Sequence, residues 1–249
     1  IRDWSVTGFR RVLFRSGMTP ILKYPRTPHI TGSRIQPGDE DLKQVARGAL
    51  AGLTLVVEEK LDGSNSGISF DAQERLVLQS RGHELTGGAR EAQFDLLKRW
   101  AHHHCGWLRE RLGRRYLMYG EWLYARHTIS YDRLPHFFLE FDVFDLEVGE
   151  FLDTARRQAL LSGGPVLSVP VLGTTVGSGG LESYLGVSRC SSREWMEGLY
   201  LKHEAGGRVV GRYKYVRQSF LQAVADSGTH WMDRPIEPNL LREGEDLFR

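Results

Sequence analysis

The chain has 249 residues, of which 41% are hydrophobic and 26% are charged, and its formal net charge is +2. These values are ordinary for a folded globular protein and exclude extended disorder and a fibrous repeat. No stretch approaches the roughly 18 consecutive apolar residues that a membrane span needs. The two cysteines, Cys105 and Cys190, lack the spacing of a zinc ribbon or a redox pair, which favours a reducing, cytoplasmic location.

The first 17 residues differ from the rest of the chain in charge. They contain four arginines and one aspartate, so the remainder of the chain is close to neutral. The segment has neither the apolar centre of a signal peptide nor the composition of a transit peptide. We interpret residues 1–17 as a non-native or disordered head and expect residues 18–249 to form a single domain. Bulk charge therefore gives no argument for a nucleic-acid partner and disfavours a packaging protein.

Strand-like segments occur along most of the chain. Residues 20–39 are dense in Pro and Gly and predict an ordered lead-in loop. Apolar and β-branched runs bounded by turn residues predict strands, and the pair Gly206-Gly207 predicts a hairpin turn. The strands are expected at residues 53–59, 68–70, 76–79, 116–123, 137–146, 198–202 and 208–216.

Two segments have a helical pattern. Apolar residues recur at every third or fourth position over residues 91–112, which predicts one amphipathic helix. A shorter helix is expected over residues 154–161, with Asp153 or Thr154 as its N-cap. Clusters of strands with helices between them predict an α+β domain built on antiparallel sheet.

Lys60 is the first residue whose surroundings in the sequence indicate chemistry. It ends an apolar strand and is followed by Leu61-Asp62-Gly63, so its amine can project into a cavity while the turn lets the backbone approach a phosphate. Such a lysine can act as a nucleophile if its amine is neutral part of the time. From these residues alone, an exposed lysine at the start of a hairpin is an equal alternative.

Further polar motifs follow Lys60 in the chain. Residues 119–122 read Tyr-Gly-Glu-Trp, residues 139–145 contain two phenylalanines, residues 197–202 read Glu-Gly-Leu-Tyr-Leu-Lys, and residues 212–214 read Arg-Tyr-Lys. Each motif alone could be a solvated strand end or part of the core. Their joint occurrence in this order, after a lysine in K-x-D-G, is what indicates a shared site.

With these motifs, residues 60–214 resemble the ATP-dependent RNA ligases, in particular the nick-sealing phage type and its bacterial relatives, within the covalent nucleotidyltransferases. The resemblance implies that Lys60 becomes adenylylated and that Lys202 and Lys214 take part in catalysis. It implies that Phe141, rather than Phe144, stacks on the purine. The residues implied to bind ATP or AMP are Glu59, Lys60, Asn65, Arg81, Glu121, Phe141, Glu197, Lys202, Arg212 and Lys214.

One position departs from the family pattern. The family has Lys-x-Lys where this chain has Arg212-Tyr213-Lys214. An arginine keeps the positive charge but does not give up a proton, so the substitution is compatible with phosphate binding and not with proton donation.

The resemblance also implies a fold and a reaction. The fold is an antiparallel-sheet nucleotidyltransferase domain of the ATP-grasp-like adenylyltransferase type, without an OB-fold module, because about 35 residues follow the last motif. ATP and Mg²⁺, or Mn²⁺ in its place, are the expected cofactors, with Glu59 and Glu197 as metal ligands. The expected partner is RNA with 3′-hydroxyl and 5′-phosphate ends, free or at a nick. Nearby cations are expected to lower the pKa of Lys60.

Several alternatives stay open at this stage. A DNA ligase or a GTP-dependent capping enzyme would share the covalent lysine, and a non-catalytic module that binds RNA ends could keep the same pocket. The run His102-His103-His104-Cys105 resembles a metal site, but consecutive helical residues point in different directions, which favours a helix surface. His127 lies just past the Gly-Glu motif, where it could contact the substrate or have no role.

Overall fold

The computed structural model describes residues 21–35, 38–220 and 235–249. The head predicted at residues 1–17 lies outside them. Within the described ranges, no helix has the length and apolar character needed to cross a bilayer.

Two predominantly antiparallel sheets form the framework. In the first sheet the strand order is β11-β10-β1-β9, and in the second it is β4-β3-β2-β5-β6-β7, with β8 pairing parallel to β6. The strands of the first sheet are β1 (Thr54–Lys60), β9 (Val171–Val176), β10 (Gly198–Ala205) and β11 (Arg208–Val216). Those of the second are β2 (Ser64–Phe70), β3 (Leu76–Ser80), β4 (His83–Glu84), β5 (Tyr116–Trp122), β6 (Phe138–Asp145), β7 (Glu150–Phe151) and β8 (Leu167–Ser168).

Three α-helices accompany the sheets: α1 (Asp95–His103), α2 (Cys105–Leu112) and α3 (Thr154–Leu161). The helix predicted over residues 91–112 is interrupted at His104, whose ψ of 15° departs from helical geometry. Backbone hydrogen bonds of the helical i to i−4 type still cross the break, so the apolar face continues into α2. α3 has the predicted bounds, and Asp153 is its N-cap, because its carboxylate accepts a hydrogen bond from Arg156 N at 2.8 Å.

The two faces of β1 have opposite chemistry because side chains alternate along a strand. Leu55 and Val57 are fully buried against Leu199 and Leu201 in an apolar cluster. Burial of a side chain of this size stabilises a fold by about 1.5–3 kcal/mol. The alternate positions carry Glu58 and Lys60, and they face the second sheet. The space between the sheets is therefore lined by polar side chains.

The second sheet has its own core. Trp100 of α1 is fully buried and stacks on Phe138 of β6 with 5.7 Å between ring centroids. Leu97, Ile68 and Trp122 belong to the same cluster. This packing fixes β5 and β6 against α1, and these two strands carry part of the cavity wall described below.

The predicted class, α+β with antiparallel sheet, is confirmed. Two local expectations were wrong. The turn expected before residue 68 is shorter, since β2 begins at Ser64 and pairs with both β3 and β5. The strand β9 had no clear signal, because it is an edge strand interrupted by Gly173 and much of it is exposed.

Candidate active site

A cavity of about 690 Å³ lies between the two sheets. Strand ends and neighbouring loops of both sheets supply its walls. The predicted site residues that line it are Glu59, Lys60, Asn65, Arg81, Glu121, Phe141, Glu197 and Lys214. The lining also includes Tyr24, Asp39, Asp62, Ser64, His127 and Tyr200, of which only His127 had been singled out as a substrate contact.

Lys60 lies at the meeting point of the two walls. Its Nζ donates a hydrogen bond to the Glu197 carboxylate at 2.7 Å, and its side chain is 21% exposed. Burial lowers the pKa of Lys60, but the negative charges of Glu197, Glu121 and Asp62 outweigh it, and the net shift is upward. The expectation that surrounding cations lower this pKa is therefore wrong for the unliganded protein, because the groups closest to the amine are carboxylates.

Glu121 lies near the end of β5 and lines the cavity. One of its carboxylate oxygens accepts a hydrogen bond from Gly63 N at 3.1 Å. Burial, reinforced by the charges of Glu197 and Asp62, raises the pKa of Glu121 to about 8, although Lys60 acts in the opposite direction. This carboxyl is therefore protonated over much of the neutral range when no ligand is bound.

Phe141 and Tyr200 both line the cavity, one from each sheet. Their ring centroids are 6.5 Å apart with 40° between the ring planes. Phe144, the alternative stacking residue, packs in the core against Phe151 at 4.8 Å. The structure therefore places Phe141, and not Phe144, at the cavity. Tyr200 was missed at the sequence level, although its place two residues before Lys202 on β10 puts both on one face of the strand.

Lys214 projects into the cavity from β11 and forms an ion pair with Asp39. Burial lowers the pKa of Lys214, as does the charge of Lys60, while Asp39 opposes both. Asp39 also accepts a hydrogen bond from Arg26 at 3.1 Å. The lead-in segment therefore forms part of the wall, a role that its Pro and Gly content did not reveal.

Lys202 and Arg212 do not line the cavity. Lys202 is fully buried, with its Nζ 3.0 Å from both Glu58 and Asp142, and it also donates to the backbone carbonyl of Phe141. Arg212 packs over the Phe151 ring at 3.9 Å and lies 3.6 Å from Asp142. Arg157 joins the same buried cluster through Glu58 and Glu140. Direct phosphate contacts by Lys202 and Arg212 stay predictions that this geometry does not favour.

The Glu59 carboxylate is engaged elsewhere. It follows Glu58 and precedes Lys60 in β1, so its side chain leaves the strand on the opposite face. Ser188 Oγ donates to one carboxylate oxygen and Arg189 N donates to the other at 2.9 Å. Its role as a metal ligand also stays a prediction.

Asn65 and Arg81 approach the cavity from the second sheet. Asn65 lies opposite Glu121 across the β2–β5 pair, and its buried amide oxygen has no hydrogen-bond partner among the described residues. Arg81 directly follows β3 and is exposed at the cavity edge. Both positions suit contact with a polar ligand.

His127 lies in the loop after β5. Its Nε2 is 3.3 Å from Ser64 Oγ, and its Nδ1 is 3.9 Å from Asp62 Oδ1. The other oxygen of Asp62 accepts hydrogen bonds from Thr128 N at 2.8 Å and Ile129 N at 3.0 Å. The aspartate of the K-x-D-G motif therefore anchors the loop that carries the histidine.

The cavity chemistry fits a hydrated divalent cation. The described ranges contain no cluster of three or more His, Cys, Asp or Glu side chains that could hold a metal by itself. Mg²⁺ keeps several waters and is commonly bound by one or two carboxylates together with substrate phosphates. Glu197 and Glu121, which are both next to Lys60, could supply such carboxylates. In the run at residues 102–105, His102 lies on the exposed surface of α1 with its Nδ1 2.7 Å from the Lys98 carbonyl, whereas His104 is half-buried and packs against Trp100.

Comparison with known proteins shows one family. The RNA ligase family model matches residues 53–216, which include every predicted site residue. A search of curated proteins finds no match.

Solved structures of RNA ligase from Naegleria gruberi have a similar fold. The complex with PPi is 19% identical with a TM-score of 0.59, and the alignment covers 84% of this chain and 62% of that one. A variant with ATP and Mn is 20% identical with a TM-score of 0.53, covering 71% of this chain and 53% of that one. An apo variant is 20% identical with a TM-score of 0.56, covering 84% and 61%. This chain thus spans less than two thirds of the length of each.

Proposed function

This chain belongs to the RNA ligase family, and from that premise we propose that it joins RNA 3′-hydroxyl and 5′-phosphate ends with ATP, through a lysyl-AMP intermediate on Lys60. The observation that carries the proposal is the position of the Lys60 amine, which lies in a cavity between two sheets, 2.7 Å from Glu197 and across from the Phe141–Tyr200 pair. The N. gruberi structures with ATP and Mn and with AMP and Mn support the choice of nucleotide and a divalent metal.

The aromatic pair suits a purine. A purine can stack on a ring of this pair, which lines the cavity with its centroids 6.5 Å apart and its planes tilted by 40°. Lys202 helps to fix the position of Phe141, because its amine donates a hydrogen bond to the Phe141 backbone carbonyl. We therefore assign Lys202 and Arg212 to the support of the nucleotide pocket, and Lys214 to the phosphates.

In the first step the Lys60 amine attacks the α-phosphorus of ATP and pyrophosphate leaves. The amine must first lose a proton, and the Glu197 carboxylate is the hydrogen-bond acceptor already in contact with it. Lys214 can leave Asp39 and pair with phosphate oxygens, because its side chain already projects into the cavity. A bound Mg²⁺ would neutralise phosphate charge.

In the later steps AMP passes from Lys60 to a 5′-phosphate, and a 3′-hydroxyl then displaces AMP to form the phosphodiester. Splitting the reaction in this way activates a poor electrophile. Asn65 and Arg81 lie where the second sheet meets the cavity and are assigned to the nucleotide or the 5′-phosphate.

We further propose that residues 18–249 act as an adenylyltransferase domain and that the protein is cytoplasmic. The substrate is RNA ends, free or at a nick in a duplex. A DNA ligase and a GTP-dependent capping enzyme are the alternatives that share the lysine chemistry.

Intact-mass measurement after incubation with ATP and Mg²⁺ tests the proposal. We expect one added AMP in the wild type, none in Lys60→Ala or Lys60→Arg, and a normal adduct in Lys43→Ala, which removes an exposed lysine. Parallel incubations with GTP and dATP, followed by nicked RNA and DNA duplexes, separate the alternatives. A non-catalytic RNA-end module would show no adduct, and its RNA binding would be unchanged in Lys60→Ala.

A further inference from the structure

We propose that His127 is the proton acceptor for the attacking 3′-hydroxyl in the final, strand-joining step. The inference rests on the proposed ligase function and adds a catalytic residue that the matched motifs do not contain. It is carried by the position of His127 along the cavity and by the groups nearest to its two ring nitrogens.

The strand registers place three groups in order along the cavity. In the second sheet, Phe141 lies in β6 at the point where the register with β5 shifts, next to Gly120. Glu121 is one residue closer to the end of β5. In the first sheet Tyr200 pairs with Glu58, two residues before Lys60. The order is therefore the aromatic pair first, then the Lys60 amine with its carboxylates.

Beyond the amine lie Ser64 and His127. Ser64 pairs with Trp122 at the end of β5, and His127 follows in the next loop. With the base stacked on Phe141, His127 lies on the side of Lys60 away from the nucleoside. That side is where a polynucleotide end must enter to receive or displace AMP.

The two nitrogens of His127 have different partners. Nδ1 faces the Asp62 carboxylate at 3.9 Å, which favours a proton on that nitrogen and leaves the lone pair on Nε2. Asp62 cannot turn away easily, because Thr128 N and Ile129 N hold its second oxygen. Catalytic hydrogen bonds are often long before substrate binds and then shorten.

Nε2 faces a hydroxyl within the cavity. The Ser64 hydroxyl lies 3.3 Å from this nitrogen and 3.5 Å from Gln93 Oε1, so Nε2 already contacts an alcohol, whose place a substrate hydroxyl takes when the Ser64 side chain turns toward Gln93. His127 has a side chain only 7% exposed, which keeps competing water away from the ring. The geometry therefore offers a proton acceptor beside a hydroxyl, in the cavity that also holds the Lys60 amine.

The proposed step balances. The 3′-oxygen bonds to the 5′-phosphorus of the AMP-capped strand, the bond from that phosphorus to the AMP oxygen breaks, and AMP leaves with the bonding electron pair. The hydroxyl proton passes to His127 Nε2. The Asp62 carboxylate stabilises the resulting imidazolium until its proton returns to water.

A pre-adenylylated nicked RNA duplex, supplied with Mg²⁺ and without ATP, isolates this step. We expect His127→Ala and His127→Gln to seal it 10²- to 10⁴-fold more slowly, the range typical for loss of a proton acceptor. Both variants should still form the Lys60 adduct from ATP within a few-fold of the wild-type rate, which also shows that they are folded. His102→Ala, which removes an exposed histidine of α1, is the matched control and should seal normally.

Added imidazole should restore part of the sealing rate in His127→Gly. Sealing by His127→Ala at the wild-type rate, an equal loss of adduct formation and sealing, or a sealing defect that imidazole leaves unchanged would each overturn the assignment. If the wild type forms neither the adduct nor the sealed product, the proposed ligase function fails, and this inference fails with it.

Discussion

Lys60 lies directly opposite Gly198 across the β1–β10 pair, and the residue before that glycine, Glu197, contacts the Lys60 amine at 2.7 Å. Two motifs separated by more than 130 residues in sequence are therefore joined by strand register. Among the neighbouring charges, the Glu197 carboxylate has the largest effect on the pKa of Lys60, and only burial has a larger one.

The first prediction concerns the pH dependence of Lys60 adenylylation. The raised pKa keeps the amine protonated near neutral pH, so the rate of AMP-adduct formation should rise with pH through the alkaline range. Glu197→Gln removes the negative charge that raises this pKa, and the rise should move to lower pH. Adduct formation followed by intact mass over about pH 7–11 checks this. The informative quantity is the pH at which the rise levels off, because Glu197→Gln can also lower the maximum rate; a rise that levels off in the wild type at the same pH as in the variant, or at a lower one, would contradict the argument.

The second prediction concerns Glu121 and the stability of the unliganded protein. Between pH 4.5 and about 8 the folded protein holds a proton on Glu121 that the unfolded chain has lost, so stability decreases as pH rises through this window. Glu121→Gln removes that dependence. The difference in unfolding free energy between Glu121→Gln and the wild type should be small near pH 4.5. It should then increase in favour of the variant by up to about 1.4 kcal/mol per pH unit.

Urea unfolding without nucleotide measures this gain at several pH values. Glu110→Gln, at an exposed position of α2, is the control and should show a nearly constant difference. A Glu121→Gln variant that is less stable than the wild type near pH 8 would show that the carboxyl is charged and well paired in the folded state.

The third prediction concerns the glycine of the Glu-Gly motif. A Cβ on Gly198 would lie 2.1 Å from the carbonyl oxygen of Tyr215 and 2.8 Å from Val216 Cα. Gly198→Ala must therefore push β10 from β11, which we expect to cost about 1–3 kcal/mol and to displace Glu197. Gly106→Ala is the control, because its Cβ would have no neighbour within 4 Å, and it should stabilise α2 by up to about 1 kcal/mol. Thermal unfolding and adduct yield, measured together, test both changes.

The fourth prediction separates a structural role of Lys202 from direct phosphate binding. Its amine balances Glu58 and Asp142 in a fully buried position. Lys202→Met leaves those carboxylates without one of their cationic partners, so we expect a loss of about 3–5 kcal/mol in unfolding free energy without any ligand. If Lys202 only bound phosphate, Lys202→Met would lower adduct formation and would leave the stability of the unliganded protein unchanged. Lys43→Met, at an exposed site, controls for loss of charge.

The local patterns predicted much of the fold. α3 and β11 have the predicted bounds because each is delimited by strong local signals, an Asp N-cap and a Gly-Gly turn. The apolar periodicity of residues 91–112 correctly predicted which face of the segment is buried. It did not predict the break in the helix at His104. Ser64 and Asn65 read as turn residues but lie in β2, because pairing with β5 overrides their weak strand propensity.

The candidate site was less predictable from sequence. Lys60, Glu121 and Glu197 lie close together as expected. The sequence does not show, however, on which face of a strand each side chain projects. Glu59 and Lys202 therefore appeared equivalent to Lys60 and Lys214, whereas the structure gives the first two other partners. Asp39 was missed because neither its residue type nor its spacing distinguishes a cavity wall from a loop. Tyr200 was missed because its spacing from Lys202 gives its strand face but not whether that face lines a cavity or a core.

The short connection between β1 and β2 affects how the enzyme could handle substrates of different size. β1 ends at Lys60 in one sheet and β2 starts at Ser64 in the other, so three residues link the two walls next to the nucleophile. The link limits how far the two walls can separate next to Lys60, and the buried contact of Lys202 with both Glu58 and Asp142 ties the same two sheets together. The width of the cavity at the nucleophile is therefore set by the chain itself, whatever the size of the molecule that enters.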